Sequence, residues 1–193
     1  MTIKILALCG STRYDSLNQK LLQVAALGAR ECGAQLTMLS LRDFPLPIYD
    51  ADAEKETGVQ EPVRALQRLL AAHDALLIAS PEHNGGYTAL LKNTLDWISR
   101  PTADGQPGVL LFSGRAAAIV SASPGPTGGL RSMLALRGVL EKLGAVVIPQ
   151  QFTLGAAHLA FSPQGALVDP SADAQVRAVG AALAGMAQRL AVK

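Results

Sequence analysis

The segment from Gly10 to Asn18, GSTRYDSLN, combines one arginine with several small hydroxyl and amide side chains. The strand-like apolar run Ile3–Cys9 precedes it, and Leu21 and Val24 follow at helical spacing. A phosphate group at a helix N-terminus gains from unpaired backbone N–H groups and from the positive end of the helix dipole. The segment therefore predicts an anion-binding turn between the first strand and the first helix.

Four side chains of this turn are candidate phosphate donors. Ser11, Ser16 and Asn18 offer neutral donors, and Arg13 offers charge-assisted hydrogen bonds. Gly10 has no side chain, so it would allow the backbone to approach a ligand closely.

The same turn also fits a purely structural role, because SLNQ at residues 16–19 has the pattern of a capping box. In that alternative, Ser16 caps the helix together with Gln19. The two roles are compatible, since a cap leaves other N–H groups free. Capping alone does not require Arg13 or Ser11, so the pattern favours an anion site.

The turn lacks both GxxxxGK[ST] and GxGxxG, which excludes the usual nucleoside-triphosphate cradle and the usual dinucleotide fingerprint. A terminal monophosphate on a larger ligand fits best. Flavin mononucleotide (FMN) binds where strand order reverses in a flavodoxin-like sheet, so FMN is the favoured ligand.

A second polar loop, SPEHNGG at residues 80–86, follows the apolar run DALLIAS. A flavin ring needs flat contact on one face and hydrogen-bond partners at its pyrimidine edge. Asn84 and backbone N–H groups near Gly85 can serve that edge, where donors favour reduction, and Pro81 and His83 can pack alongside the ring. The alternative is an ordinary Pro/Asn/Gly turn with its side chains in water.

A third loop, SASPGPTGG at residues 121–129, follows the apolar run AAAIVSA. It either walls the ring or merely connects a strand to a helix, and the sequence leaves both open. Arg131 is interpreted more simply as a solvated arginine than as a contact to a second ligand or a subunit.

Apolar strands and amphipathic helices alternate five times along the chain, which predicts an α/β fold with a doubly wound five-stranded parallel sheet and helices on both faces. One domain over residues 1–193 is expected. Residues 42–58, RDFPLPIYDADAEKETG, are predicted to form a proline-broken acidic loop. His73 is expected at a helix end, where partial positive charge suits the dipole, and Trp97 is expected to pack its helix onto a neighbour.

The composition excludes several classes of protein. The 193 residues are 49% hydrophobic and carry a dispersed net charge of +2, so no nucleic-acid partner is expected. No apolar stretch has transmembrane length and no secretion signal is visible, so no membrane partner and a cytoplasmic location are expected. Cys9, Cys32 and the three histidines lack metal-ligand spacing, so no metal site is predicted.

Together the three loops resemble those of the NADPH-dependent FMN reductase family, a flavodoxin-like group that includes chromate and quinone reductases. The stretches that carry the resemblance are GSTRYDSLN, SPEHNGGYTALLKNTLDWISR and SASPGPTGGLRSMLALRGVLEKLGA, with LRDFPLPIYDAD as a further likeness. They occur in order between about Ile3 and Asp169.

The resemblance implies a non-covalent FMN with its phosphate on the first loop and its ring against the second and third. It also implies a homodimer or homotetramer whose flavin sites lie at subunit interfaces. The predicted cofactor-binding residues are Ser11, Arg13, Ser16, Leu17, Asn18, Pro81, Glu82, His83, Asn84, Gly85, Ala122 and Ser123.

The activity implied by the resemblance is oxidation of NADPH or NADH with transfer of electrons to quinones, azo dyes, nitro compounds, chromate or free flavin. Hydride would pass through flavin N5 in a ping-pong cycle. No side chain is required as an acid or base, so no catalytic residue is predicted, and His83 is the nearby candidate for proton delivery. The alternatives are a flavodoxin-type electron carrier and a flavin redox-sensing module.

Two places depart from the family pattern. His83 stands where tyrosine is common, and Thr88 and Ala89 stand where a proline–glycine pair is usual. FMN binding remains the expectation, whereas the physiological acceptor and the preference between NADH and NADPH stay open.

Overall fold

A five-stranded sheet organises the chain in the computed structural model, which describes residues 2–191. Its strands are β1 (Lys4–Cys9), β2 (Gln35–Leu39), β3 (Ala75–Ala79), β4 (Ala116–Ala122) and β5 (Val146–Leu154). Their order is β2-β1-β3-β4-β5, and all four neighbouring pairs are parallel. The chain therefore winds outward from β1 in both directions, and the predicted flavodoxin-like doubly wound sheet is confirmed.

Helices cover both faces of this sheet. They are α1 (Leu17–Glu31), α2 (Ala51–Thr57), α3 (Glu61–Ala71), α4 (Ala89–Ile98), α5 (Leu130–Lys142) and α6 (Pro170–Ala191). Helices α1 and α6 share one core with the sheet, and α3, α4 and α5 share the other. Strands β3 and β4 are buried at every position, which explains why their sequences are apolar throughout except at Ser121 rather than alternating. Within residues 2–191, no helix combines the length and apolar character that a membrane span requires.

The predicted acidic loop at residues 42–58 is only partly a loop, because it contains α2. The Asp50 side chain accepts hydrogen bonds from the Asp52 and Ala53 N–H groups and so caps the helix. Gly58, at a φ of 71°, ends it. The loop prediction was wrong here, because no residue of α2 is buried and the sequence therefore shows no apolar stripe.

The segment before α2 is held against α4 by side chains of that helix. The Pro47 carbonyl oxygen accepts hydrogen bonds from Asn93 Nδ2 and Trp97 Nε1, both at 2.8 Å. The Tyr49 ring meets the Trp97 ring edge-on, with centroids 5.1 Å apart. Trp97 is buried and packs its helix onto a neighbouring segment, as expected.

His73 lies just beyond the end of α3. One ring nitrogen is 2.6 Å from the Leu69 carbonyl oxygen and the other is 2.7 Å from Thr37 Oγ1. The predicted position at a helix end is confirmed, and the ring also ties α3 to β2.

Candidate functional site

The three polar loops meet at the carboxyl edge of the sheet, where β1, β3 and β4 end side by side. The Gly10 N–H group donates to the Ala79 carbonyl oxygen at 2.8 Å, and the Ser80 N–H group donates to the Val120 carbonyl oxygen at 3.1 Å. Adjacent strand ends therefore hold residues 10–18, 80–86 and 121–129 together. We call these the first, second and third loops.

The first loop leads into α1 as both sequence interpretations expected. Ser16 is buried, and its Oγ accepts a hydrogen bond from the Gln19 N–H group at 3.3 Å, which confirms the cap. The first turn of α1 contains no acidic residue to occupy the positive end of the helix dipole. The cap uses the Gln19 amide and leaves those of Leu17 and Asn18 as the outer donors of the helix start.

Ser11 and Arg13 lie on the approach to this helix start. Ser11 is half-buried, and its Oγ accepts the Arg13 N–H group at 3.3 Å. Arg13 is exposed, and in the part of the chain described here its guanidinium makes no ion pair. One free cation therefore stands next to a helix start that attracts anions.

Asn18, a predicted phosphate donor, also connects two of the loops. Its side chain is buried, with Nδ2 donating to the Ala122 carbonyl oxygen at 2.7 Å and Oδ1 accepting the Ala122 N–H group at 2.9 Å. Both polar atoms therefore already bind the backbone of the third loop. The side chain joins the first loop to the third and fixes their separation.

Gly10 lies against the start of α4. A Cβ atom there would lie 3.0 Å from Thr88 Oγ1 and 3.2 Å from Leu91 Cβ. Thr88 Oγ1 donates to the Gly10 carbonyl oxygen at 2.8 Å. The missing side chain lets the start of α4 pack against the first loop.

The second loop is a two-residue hairpin. His83 and Gly86 exchange both backbone hydrogen bonds, at 2.9 and 3.0 Å, and Asn84 and Gly85 both have positive φ, 51° and 80°. These angles are those of a type I′ turn, for which Asn-Gly is the preferred pair. The His83 and Asn84 side chains are exposed on this turn. Because the Gly86 amide bonds within the hairpin, the amides of Asn84 and Gly85 are those at its tip.

Glu82 binds the start of α5, a contact that the sequence analysis missed. Its Oε1 accepts hydrogen bonds from Arg131 Nε at 2.8 Å and Nη2 at 2.5 Å. Its Oε2 accepts the N–H groups of Arg131 at 3.0 Å and of Ser132 at 3.3 Å. Hydrogen bonds from Arg131 are the main reason that the pKa of Glu82 lies below its ordinary value.

This ion pair corrects one expectation, because Arg131 is exposed yet paired rather than merely solvated. Neighbouring parallel strands end at the same edge of the sheet. An acidic residue just after β3 and a helix that begins after β4 could therefore have indicated this contact. The pair binds the second loop to the third.

Three buried serines complete the junction beneath the loops. Ser80 Oγ lies 2.9 Å from Ser132 Oγ, and Ser132 Oγ donates to the Pro81 carbonyl oxygen at 2.9 Å. Ser121 Oγ donates to the Ser80 carbonyl oxygen at 2.7 Å. Every buried side-chain polar atom in the described residues has a partner, so this junction is rigid rather than strained.

The third loop must pass close to this junction. Gly129 has a φ of 90°, and a Cβ atom there would fall 1.9 Å from Ser121 Oγ. The Ser123 N–H group donates to the Leu154 carbonyl oxygen at 3.0 Å, and Ser123 Oγ accepts the Gly125 N–H group at 3.1 Å. The backbone at Ala122 and Ser123 is therefore held by Asn18 and by Leu154, beside the second loop.

Neither a metal cluster nor a buried acid–base pair marks this edge of the sheet. Across residues 2–191, no group of three or more His, Cys, Asp or Glu side chains is placed to hold a metal ion. The loops instead present one arginine, a helix start and backbone N–H groups. Such an edge offers hydrogen-bond donors and positive charge to an anionic ligand.

Comparisons with known sequences agree with this arrangement. The pattern of the family described as NADPH-dependent FMN reductase matches residues 3–159. An NAD(P)H-dependent FMN reductase of Pseudomonas aeruginosa is 36% identical over 171 residues, which are 88% of this chain and 87% of that protein. An NAD(P)H:quinone oxidoreductase of Solanum tuberosum is 35% identical over 192 residues, which are 97% of this chain and 94% of that protein.

A solved flavoenzyme structure has a similar fold. FerB, a flavoenzyme NAD(P)H:(acceptor) oxidoreductase from Paracoccus denitrificans, superposes with a TM-score of 0.81 at 26% identity. The match covers 97% of this chain and 98% of FerB. The chain is an oxidoreductase and belongs to the NADPH-dependent FMN reductase family.

Proposed function

We propose that this chain binds FMN across its three loops and uses NAD(P)H to reduce quinones through it. The observation that carries the proposal is the meeting of three polar loops at one edge of the sheet, where Arg13 precedes a helix whose first turn has no acidic residue. Ligands bind at this edge in doubly wound sheets. Membership of the family supplies the reaction class.

The first loop fits the phosphate of FMN. The Leu17 and Asn18 amides and the positive end of α1 favour a dianion, and Ser11 adds a hydroxyl. Arg13 adds a positive charge that makes no ion pair within residues 2–191. Ser16 supports this site by capping α1.

We assign the flavin ring to the second and third loops. The Asn84 and Gly85 amides at the hairpin tip would face the pyrimidine edge, and Pro81 and the Ala122–Ser123 backbone would lie along the ring. Asn18 and Glu82 are positioning residues in this proposal. They keep the phosphate loop and the two ring loops at fixed separations.

When bound, FMN supplies hydride acceptance and donation at N5. Over one cycle, NAD(P)H, one proton and a quinone give NAD(P)⁺ and a hydroquinone, so the two electrons balance. The protein holds the phosphate with Arg13 and orients the ring with rigid loops. His83 is exposed on the hairpin, so either its imidazole or water can deliver the proton.

The proposal extends to the order of reaction and to further acceptors. Nicotinamide and acceptor would use the same open ring face in turn, which gives a ping-pong cycle. Azo dyes, nitro compounds, chromate and free flavin are the further acceptors. Initial rates measured against NAD(P)H concentration at several fixed quinone concentrations should give parallel double-reciprocal lines. Intersecting lines would contradict the use of one ring face by both substrates.

We also propose a homodimer or homotetramer with the flavin site at a subunit interface. The exposed hairpin tip supports this, as do two exposed apolar residues on the neighbouring helix α5, Leu130 at 39% and Leu134 at 54% exposure. Light scattering after size exclusion should give two or four times the 20.1 kDa chain mass. A cytoplasmic location belongs to the same proposal, in keeping with the free thiols of Cys9 and Cys32.

The decisive experiment is a visible absorption spectrum of the FMN-reconstituted protein before and after anaerobic addition of NADPH. Prompt bleaching of the flavin band, reversed by a quinone, is the expected result. Bound flavin that neither NADPH nor NADH bleaches would favour an electron carrier or a redox sensor instead. Failure to bind FMN would overturn the proposal at its first step.

A further inference from the structure

A shallow cavity of 280 Å³ lies beside the first loop, on the side of β2 and away from the second and third loops. Its lining includes Ser11, Arg13 and Tyr14 from the first loop and Ser40 and Arg42 from the segment after β2. The cavity therefore adjoins the proposed phosphate site. It lies on the side of that site that faces away from the second and third loops.

Arg42 and Tyr14 form a stacked pair at this cavity. The centre of the Arg42 guanidinium lies 3.9 Å from the centroid of the Tyr14 ring, and Arg42 Nη2 donates to the Thr12 carbonyl oxygen. Tyr14 is 92% exposed in spite of this contact, so its ring remains open to a second flat group. A large aromatic side chain held this far into solvent gains nothing from the core.

The cavity also carries an excess of positive charge. Neither Arg13 nor Arg42 has a carboxylate within ion-pair distance in the described chain. The Asp15 carboxylate is already paired with Lys20 at 2.5 Å, and the nearby Asp43 lies on the three-residue turn that also carries Arg42. The proposed function uses Arg13 for the FMN phosphate, which leaves Arg42 for a second phosphate.

We propose that this cavity binds the 2′-phosphoadenosine end of NADPH, with Arg42 on the 2′-phosphate and the Tyr14 ring stacked on the adenine. This inference rests on the proposed function, since nicotinamide must lie on a flavin ring held by the second and third loops. In this proposal NADPH lies along FMN, with its nicotinamide on the ring and its adenosine end past the first loop in this cavity. An arginine fork suits a phosphate, and an open aromatic ring suits a purine.

The same geometry assigns a nucleotide preference. NADH has a hydroxyl group where NADPH has the 2′-phosphate, so it would lose the charge-assisted hydrogen bonds from Arg42. Such bonds are worth enough for about a tenfold difference in affinity. The cavity therefore makes the enzyme selective for NADPH.

Calorimetric titration of the FMN-loaded protein tests the cavity without any turnover. Adenosine 2′,5′-bisphosphate should bind about tenfold more tightly than adenosine 5′-monophosphate. Arg42→Ala should remove that difference in affinity, and Tyr14→Ala should weaken the binding of both nucleotides. Equal affinities in the wild type, or a difference that survives Arg42→Ala, would overturn the assignment.

Steady-state kinetics give a second readout. In Arg42→Ala, kcat/KM for NADPH should fall about tenfold while kcat/KM for NADH stays the same. Arg30→Ala, at the exposed far end of α1, is the matched control and should change neither value. If kcat/KM falls equally for NADPH and NADH in Arg42→Ala, or if neither value changes, Arg42 does not bind the 2′-phosphate.

Failure of this inference is distinguishable from failure of the proposed function. If NADPH bleaches the flavin of the wild type and the selectivity between NADPH and NADH does not depend on Arg42, only the adenosine site is refuted. Wild-type protein whose flavin neither nucleotide bleaches refutes the proposed function as well. The FMN content of Arg42→Ala, measured after denaturation, should equal that of the wild type.

Discussion

At the scale of single residues, the site separates into side chains that face a ligand and side chains that hold the loops. Arg13 and Ser11 are accessible beside the start of α1, whereas Asn18 and Ser16 are buried and bonded to the protein. The sequence places all four in one turn and cannot separate these roles, because a hydroxyl or amide group serves either. The separation depends on what each side chain meets in the folded chain.

Arg13→Ala should weaken FMN binding about tenfold or more, because it removes a cation without an ion-pair partner from the loop that leads into α1. Titration of apoprotein with FMN, followed by the quenching of flavin fluorescence, measures the dissociation constant. Arg30→Ala is again a suitable control, and an unchanged dissociation constant in Arg13→Ala would refute the phosphate assignment.

Asn18→Ala should destabilise the fold by roughly 2–3 kcal/mol, because it leaves the buried N–H and carbonyl groups of Ala122 without their partner. Urea denaturation followed by circular dichroism measures the loss. Gln188→Ala, on the exposed surface of α6, should change stability little by comparison. A wild-type urea midpoint in Asn18→Ala would mean that the amide does not join the two loops.

At the scale of elements, the loops are fixed by the starts of the helices that follow them. Ser16 caps α1, Thr88 caps α4 and bonds to Gly10, and Glu82 binds the start of α5. Each contact joins one loop to a neighbouring element. The geometry of the site therefore depends on helix starts rather than on any single loop.

Two glycines near α5 give opposite predictions for the same substitution. Gly129→Ala should destabilise by several kcal/mol, because its φ is 90° and its Cβ atom would collide with Ser121 Oγ. Gly138→Ala, inside α5 with open space around it, should stabilise by about 0.5–1 kcal/mol through helix propensity. The urea midpoints of the two variants test both predictions. A wild-type midpoint in Gly129→Ala would contradict the close approach of Gly129 to Ser121.

The Glu82–Arg131 pair should make stability depend on pH in the acid range. Because the folded-state pKa of Glu82 is lowered, the pair stabilises the fold above the ordinary glutamate pKa, and this contribution is lost as the pH falls through the lowered value. Glu82→Gln should therefore have a lower urea midpoint than the wild type at pH 7. At pH 3 the midpoints of the two proteins should be closer together. Glu56→Gln, an exposed control on α2, should follow the wild type at both values. A deficit that is equal at pH 7 and pH 3 would argue against the ion pair.

At the scale of the whole molecule, the two cores on either side of the sheet leave the carboxyl edge free for binding. Core residues of α1 and α6 pack on one face, and those of α3, α4 and α5 pack on the other. The strand ends between them are fixed by both cores. Ligand binding at this edge should therefore stabilise both halves of the fold together.

Calorimetry should show one cooperative unfolding transition, as the expected single domain over residues 1–193 requires. FMN at one hundred times its dissociation constant should add about 2.7 kcal/mol to the free energy of unfolding and move that transition upward as a unit. Two separate transitions would refute the single domain, and a transition indifferent to FMN would refute binding to the folded state.

The sequence by itself determined the order of strands and helices, the sheet class and the location of the three loops. Apolar periodicity reports burial, and burial in a parallel sheet is continuous, so runs such as ALLIA and AAAIVSA are recognisable without a structure. The capped start of α1 and the Asn-Gly turn are equally local, because a few adjacent residues set their geometry. The α2 helix escaped recognition because it buries no side chain.

The tertiary structure alone decided which polar groups were already in use. Asn18 meets Ala122 across 104 residues, and Glu82 meets Arg131 across 49. Arg42 reaches the first loop from the end of β2. Such pairings depend on which strand ends lie side by side, and no local pattern encodes that distance. For this reason, the edge of the sheet was predictable from sequence, and the division of its residues between binding and support was not.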